Sequence, residues 1–414
     1  MRLRRGLALA AGIAVVVLLL VALAAAVFLQ PRQLARIALG SVGDALGLEI
    51  GFEGEARYRL RGTPLLEVRD VVVRAPGAGA PLLRADRVLV SLPWSTLRDR
   101  GAPLVLERIE LDAPVLDLAL LQAWLASRPP GEGRLPTLSE GVGVRDGRLL
   151  GDGWALHGLD LDLPSFAEGQ PLAAHARGVL ELAAPTRIHF DLDLAATQPA
   201  DGAGASARGR VRVDGADWQL PATVTASGPL RFGGGILRIT PLRLGMSAEY
   251  RGEGEPLRFT LGTHGPLRLR DGTWTLAPAA VALRGEGMLP HLDATGRGAF
   301  GRALLLELTG RMPEWPATWP ALPAPLDASP SPIAVAIAYA GARDLSGPVG
   351  LHLRRDEARA RAGVRIPELL DWMDAAAIGT PLPPLAARAS APRIEIAGAV
   401  LEGVEIGIDP GDAP

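Results

Sequence analysis

The sequence predicts a mostly β protein: an N-terminal transmembrane helix, then an elongated antiparallel, hairpin-repeat β body with a few short capping helices. Three observations carry that expectation. One uncharged apolar run near the N-terminus is long enough to span a bilayer, most of the remaining chain alternates apolar and polar residues with a period of two, and glycine-bearing turn pairs separate the alternating runs.

The chain opens with a short cytoplasmic stretch, 1–5, in which Arg2, Arg4 and Arg5 precede the apolar run from Gly6 to Leu29. At 1.5 Å per residue that run reaches about 36 Å, enough for a hydrocarbon core of about 30 Å with some tilt. A cleaved signal peptide is the rival reading, because Ala22 to Ala26 is rich in small residues. Secretory apolar regions stop at about 15 residues, however, so the length favours an uncleaved anchor over 6–29. The three arginines set the topology, holding the N-terminus in the cytoplasm and sending the body across. In a bacterium this makes a single-pass inner-membrane protein with a periplasmic body. Residues 30–47 place Leu34, Ile37, Ala38, Val42 and Leu46 at helical spacing, which predicts an amphipathic connecting helix.

From Leu48 the period becomes two. The clearest strand is 187–194, where Ile188, Phe190, Leu192 and Leu194 share one face and Arg187, His189, Asp191 and Asp193 the other. Leu257, Phe259 and Leu261 repeat the pattern, as do Ile333, Val335 and Ile337. Strands buried on both faces would read as continuous apolar runs, so the alternation predicts antiparallel sheets with one wet face. The first β region covers 48–127 and includes a helix over 115–128 with Leu118, Leu121, Trp124 and Leu125. A hairpin-repeat body covers 128–312, a Pro-rich linker 313–332, and a second β region 333–409 with a short helix at 367–378. Both helices are expected to cover sheet edges. Further Pro-rich loops fall at 128–136 and 380–384. Asp146-Gly147, Asp152-Gly153, Asp214-Gly215, Gly233-Gly234 and Asp271-Gly272 read as tight turns, since these residues tolerate positive φ. The stretches 144–163, 230–244 and 267–283 resemble one another, which points to a repeating hairpin unit or to the shared grammar of any hairpin-rich chain. At roughly 12–15 residues per strand and turn, the body holds about 25 strands.

Composition narrows the function. The 414 residues carry 43 basic and 45 acidic side chains, no cysteine, and 48% apolar residues. That near-neutral charge argues against nucleic acid as a partner, and the apolar content argues against disorder. Without cysteine there is no disulfide, thiolate nucleophile or Cys-ligated metal. Every basic residue other than histidine is Arg, which removes lysine chemistry. His157, His175, His189, His264, His291 and His352 are scattered without metal-ligand spacing. No serine sits in a nucleophile-elbow motif; Gly245 to Glu249 fails at its last position. Gly202-Ala203-Gly204 reads as a hairpin tip. The pairs Asp160/Asp162 and Asp191/Asp193 suit either acid–base or Ca²⁺ chemistry, or the solvent face of a strand; their i, i+2 spacing favours the latter. The chain is expected to be no enzyme and to need no cofactor or metal.

Three segments in order, Leu66 to Val73 (LEVRDVVV), Leu82 to Leu92 (LLRADRVLVSL) and Leu104 to Pro114 (LVLERIELDAP), resemble the N-terminal region of the AsmA family, and Pro392 to Ile406 resembles its closing strands. The resemblance implies an inner-membrane-anchored periplasmic protein of Gram-negative bacteria, built as an elongated antiparallel, hairpin-repeat β-groove related to bridge-like lipid-transfer proteins and concerned with outer-membrane assembly and lipid homeostasis. Its implied partners are the inner-membrane bilayer, phospholipids and an outer-membrane or envelope protein. Under that reading Ile188, Phe190, Leu192, Leu194, Leu257, Phe259, Leu261, Ile333, Val335 and Ile337 face lipid. The alternative is a non-enzymatic envelope or secretion scaffold whose inward face meets another sheet.

Overall fold

The computed structural model describes residues 47–59, 61–91, 93, 105–127, 137–182, 186–233, 235–252, 254–319, 321–343, 346–368, 385–396 and 399–408. The predicted anchor 6–29, Arg2, Arg4 and Arg5, and all of the connecting helix but Gly47 lie outside the described residues. So do the loops 128–136 and 380–384 and, beyond a helical turn at 366–368, the helix expected at 367–378. Among the described residues no helix is long and apolar enough to cross a membrane. The chain is mostly β, with 22 strands among the described residues in a predominantly antiparallel arrangement. It forms two compact units: the residues up to Ala216 with Leu230–Gly235, and Asp217–Pro229 with Ile236 onward.

In the first unit, β1 (Glu49–Phe52) and β2 (Ala56–Arg59) both pair with β3 (Leu65–Arg74), and β3 pairs with β4 (Leu83–Ser91). Next come β5 (Val105–Asp112) and β6 (Val115–Asp117), both against β4, and the helix α1 (Leu118–Ala126). The chain then returns as β7 (Thr137–Gly151), parallel to β5 and β6. A parallel return needs a crossover, and α1 supplies it. Asp117 caps the helix, its Oδ1 accepting the Leu120 amide at 3.0 Å, and at the other end the Ser127 hydroxyl donates to the Trp124 carbonyl at 2.7 Å. Leu121 and Trp124 press onto the sheet and are 4% and 5% exposed. Beneath them Val68, Val88, Val90, Leu106 and Ile109 form a closed core. Strict alternation along β3 would turn Asp70 inward. Asp70 instead adopts φ 53°, and the strand shifts so that Val71 and Val73 enter the core.

Antiparallel hairpins follow: β8 (Trp154–Leu163), β9 (Leu172–Glu181), β10 (Arg187–Ala196) and β11 (Ala203–Asp214), each paired with the preceding strand from β7 onward. Gly153 turns β7 into β8 at φ 73°. Asp146-Gly147 is no hairpin turn. It is an irregularity inside β7, where the register shifts between Val144 and Leu149 while the Asp146 amide donates to Asp160 Oδ1 at 3.0 Å.

The second unit takes Asp217–Pro229, which belongs to β12 (Gln219–Gly233) from Gln219 on. It continues with β13 (Ile236–Tyr250), β14 (Leu257–Arg270), β15 (Thr273–Gly285), β16 (Leu292–Phe300), β17 (Leu304–Met312), β18 (Ile333–Gly341), β19 (Pro348–Arg355), β20 (Ala358–Arg365), β21 (Leu385–Ile396) and β22 (Ala399–Ile408). From β13 each pairs antiparallel with the next. Two of the look-alike stretches, 230–244 and 267–283, repeat at an offset that also relates Gly228-Pro229 to Gly265-Pro266 and Pro241 to Pro278. The geometry repeats too. Both later prolines follow cis peptide bonds, and a Cβ on Gly228 or Gly265 would fall 2.3 or 2.2 Å from the carbonyl oxygen of Pro241 or Pro278. Only glycine lets the strands approach so closely.

The Pro-rich stretch 313–332 lies inside the second unit and packs on it. Trp319 Nε1 donates to the Met288 carbonyl at 2.9 Å, Thr318 to that of Gly287 at 2.9 Å, and Trp315 meets Trp319 edge-on at 4.9 Å between centroids. Under these two indoles Leu292, Leu308, Met312, Ile333 and Val335 make the second closed core.

Candidate functional site

The most distinctive surface of the first unit is the apolar face of β8–β11. Register places Leu156, Leu180, Ile188 and Val213 in one row across four strands. Leu161, Ala176, Leu192 and Gly209 make a second row; Phe190 stands with Gly178 and Val211, and Leu194 with Ala174 and Ala207. The period of two has therefore assembled one apolar surface, as β pleating requires. Of these side chains only Ala176 is buried; the rest, glycines aside, are half-buried, and none belongs to either closed core. Phe190 lies over Gly178, where a Cβ would come within 3.1 Å of the ring.

The opposite face of the same strands is an ion-pair lattice. Arg177 meets Asp160 at 2.7 Å, Arg210 meets Asp191 at 3.3 Å, and His175 lies 3.1 Å from Asp193. His189 and Arg212 share Asp214 at 2.9 and 3.0 Å, and His157 and Arg187 share Glu181 at 3.3 and 3.4 Å. The carboxylates at i, i+2 spacing are the wet side of β strands, each facing a cation on a neighbour. The amide of Asp146, then Arg177, hold the Asp160 carboxyl below its usual range. Among the described residues no group of three or more His, Asp or Glu side chains is placed to hold a metal ion.

The second unit presents a comparable face on β13 and β14. Leu257 stands opposite Tyr250, Phe259 opposite Ala248, and Leu261 opposite Met246; all three are half-buried. Ile333 and Val335 are placed differently from the lipid-facing role expected of them: at 2% and 5% exposure they sit under Trp315 and Trp319 and meet protein. Ile337, two residues on, is half-buried. Among the described residues β18 is thus covered where β10 and β14 are not. The cover comes from 313–332, whose prolines and tryptophans carried no period to connect them with β18.

Charge is distributed unevenly over the wet faces. Glu249 accepts from Arg251 and Arg258 at 2.6 and 2.8 Å, and Arg297 grips Glu307 with two bonds of 2.8 Å. On β19–β21, Arg354 stands directly opposite Arg359, and Arg361 opposite Arg388, like charges that repel across the ladder. Among the described residues none of these four has a carboxylate within ion-pair distance. This region was not singled out in the sequence, because arginines 27 residues apart meet only through register. Comparison with protein-family models, curated proteins and solved structures finds no match to this chain.

Proposed function

We propose that the chain is an AsmA-like inner-membrane protein with a periplasmic body that binds or conducts phospholipid along the apolar faces of its sheets, supporting outer-membrane assembly and lipid homeostasis. The observation that carries this reading is the half-buried apolar face of β8–β11, in which four strands of leucine, isoleucine, valine and phenylalanine stay outside both closed cores. A contiguous apolar surface of that kind marks an interaction site. A lipid crossing water exposes its chains at about 0.8 kcal/mol per methylene, so two chains of about 16 carbons meet a barrier of about 25 kcal/mol. An apolar strip that takes the chains lowers that barrier, and it needs no nucleophile or metal. The run from Gly6 to Leu29 gives the anchor, and the three segments that resemble the AsmA family stand as β3, β4 and β5, adjacent and antiparallel. The unpaired arginines of β19–β21 suit anionic headgroups.

Photocrosslinking in cells tests the reading. A probe residue is placed in turn at Ile188, Phe190 and Leu192, then at His189 and Asp191, and the adducts are identified by mass spectrometry. Phospholipid adducts at the apolar positions alone are the expected result. Protein-only adducts there, or none, would replace lipid transfer by the envelope scaffold.

A further inference from the structure

At its C-terminal strands the second unit holds a partly open cavity of about 210 Å³. Register sets its floor: Leu353, Ala360, Ala389 and Ile406 lie side by side across β19–β22. Two alanines at the centre of that row leave open the volume that larger residues would fill. The roof is Leu322, Pro323 and Leu326 from the strap 313–332. The strap is fastened over the strands, since the Glu395 amide donates to the Ala324 carbonyl at 2.7 Å and the Ser329 hydroxyl to Asp356 Oδ2 at 2.6 Å. Apart from arginines and Ser390, every lining residue is apolar. An apolar cavity of roughly 150 Å³ already takes up a small hydrocarbon, and at roughly 30 Å³ per water-sized group this one has room for about seven chain carbons.

Three arginines, Arg354, Arg355 and Arg359, line it, and of these Arg355 shares the parity of the floor. Arg355, directly opposite Ala358 and in step with Leu353, lines the cavity. Its terminal nitrogen donates to the Ser329 carbonyl, whereas its Nε is buried and without a hydrogen-bond partner. Among the described residues none of the three lining arginines has a carboxylate within ion-pair distance, so an anion there meets uncompensated positive charge.

We infer that this cavity seats an acyl chain of an anionic amphiphile, with the anionic group beside the lining arginines Arg354, Arg355 and Arg359 and about seven carbons beneath the strap. The inference rests on the lipid reading above and deepens it by naming where a chain stops and what charge its head carries. A free fatty acid and a phospholipid share that chemistry.

The test titrates the purified full chain with hexanoate, octanoate and decanoate by calorimetry, with octanol as the uncharged control. Affinity rises about fourfold per methylene while carbons enter the cavity, then flattens near eight carbons. Ala389→Phe, which fills the floor, weakens octanoate at least tenfold. Arg355→Gln lowers the preference for octanoate over octanol. Ala360→Leu serves as the second filling variant should Ala389→Phe not fold. Octanoate binding that survives both filling variants in folded protein overturns the inference, as does affinity that keeps rising past decanoate. Mass spectrometry of lipid extracted from the parent and the filled variant distinguishes fatty acid from phospholipid. Phospholipid adducts at Phe190 alongside unaltered octanoate binding in a filled variant would sink the cavity site and leave the lipid reading standing; absence of those adducts together with unaltered octanoate binding in a filled variant would sink both.

Discussion

The region β3–β5 and the region β8–β11 are written in the same grammar, yet one is closed and the other open. Each alternates apolar and polar residues, and each assembles its apolar side chains into rows by antiparallel register. In the first, Leu106 and Ile109 are 0% exposed because α1 brings Leu121 and Trp124 down over the sheet. In the second no helix among the described residues returns, and Ile188, Phe190, Leu192 and Leu194 stay half-buried. Their wet faces differ as well. In the closed region Arg87 binds Asp112 at 2.6 Å and Glu110 at 2.9 Å with only 18% of its side chain exposed, whereas Arg210, 81% exposed, holds Asp191 at 3.3 Å. Alternation specifies a strand with two faces; what covers the apolar one is a separate decision.

The sharpest way to break this contrast is truncation in both regions. Ile109→Ala should cost about 2–5 kcal/mol, because removal of fully buried methylenes adds a cavity to the lost transfer energy. Leu192→Ala should cost less than about 1.5 kcal/mol, in keeping with half-burial. Denaturant midpoints measure both, and equal losses would mean that the second face is packed. Next in size is the approach of strands in the repeated hairpins. Gly265→Ala puts a Cβ 2.2 Å from a backbone oxygen at φ 155°, and should destabilise by about 2 kcal/mol, while Gly262→Ala, with nothing within 4 Å, should leave the midpoint within about 0.5 kcal/mol.

Ion pairs sharpen the contrast further. Arg87→Ala leaves Asp112 partly buried without its 2.6 Å partner and Glu110 with Arg108 alone, and should cost about 1.5–3 kcal/mol. Arg210→Ala removes an exposed pair and should cost less than about 1 kcal/mol. The smallest effect is in pH. Burial acts to raise the Glu110 carboxyl, but the hydrogen bonds from Arg108 and Arg87 outweigh it and hold the group below its usual range. The folded state therefore binds fewer protons than the unfolded chain. The contribution of Glu110 is complete above the ordinary glutamate value of about 4.3 and is lost as acid carries the pH through the lower folded value. Melting temperature should fall between pH 5 and 3, and Glu110→Gln should flatten that fall; an unchanged slope would mean that the pair does not form in solution.

Much of this architecture was legible because β structure writes its period locally. The strand at 187–194, the helix after Val115, and the turns at Asp152-Gly153 and Asp271-Gly272 all follow from residues within a few positions of one another. Asp146-Gly147 misled for the same reason, since a residue pair that tolerates positive φ fits a bulge inside β7 as well as a hairpin turn. Ile333 and Val335 show the limit for the site. Their alternation is as regular as that of Ile188 and Phe190, and only Trp315 and Trp319, reaching over from the Pro-rich stretch, separate a covered strand from an open one.

By itself the sequence determined which residues form strands and which side of each strand is apolar, because side-chain direction in a strand depends only on parity. The tertiary structure alone decided where that apolar side is closed by α1 or by the strap 313–332, where two alanines leave a cavity, and where arginines meet across β19–β21. Those outcomes depend on segments far apart in the chain arriving at one place, and a local period carries no information about such arrivals.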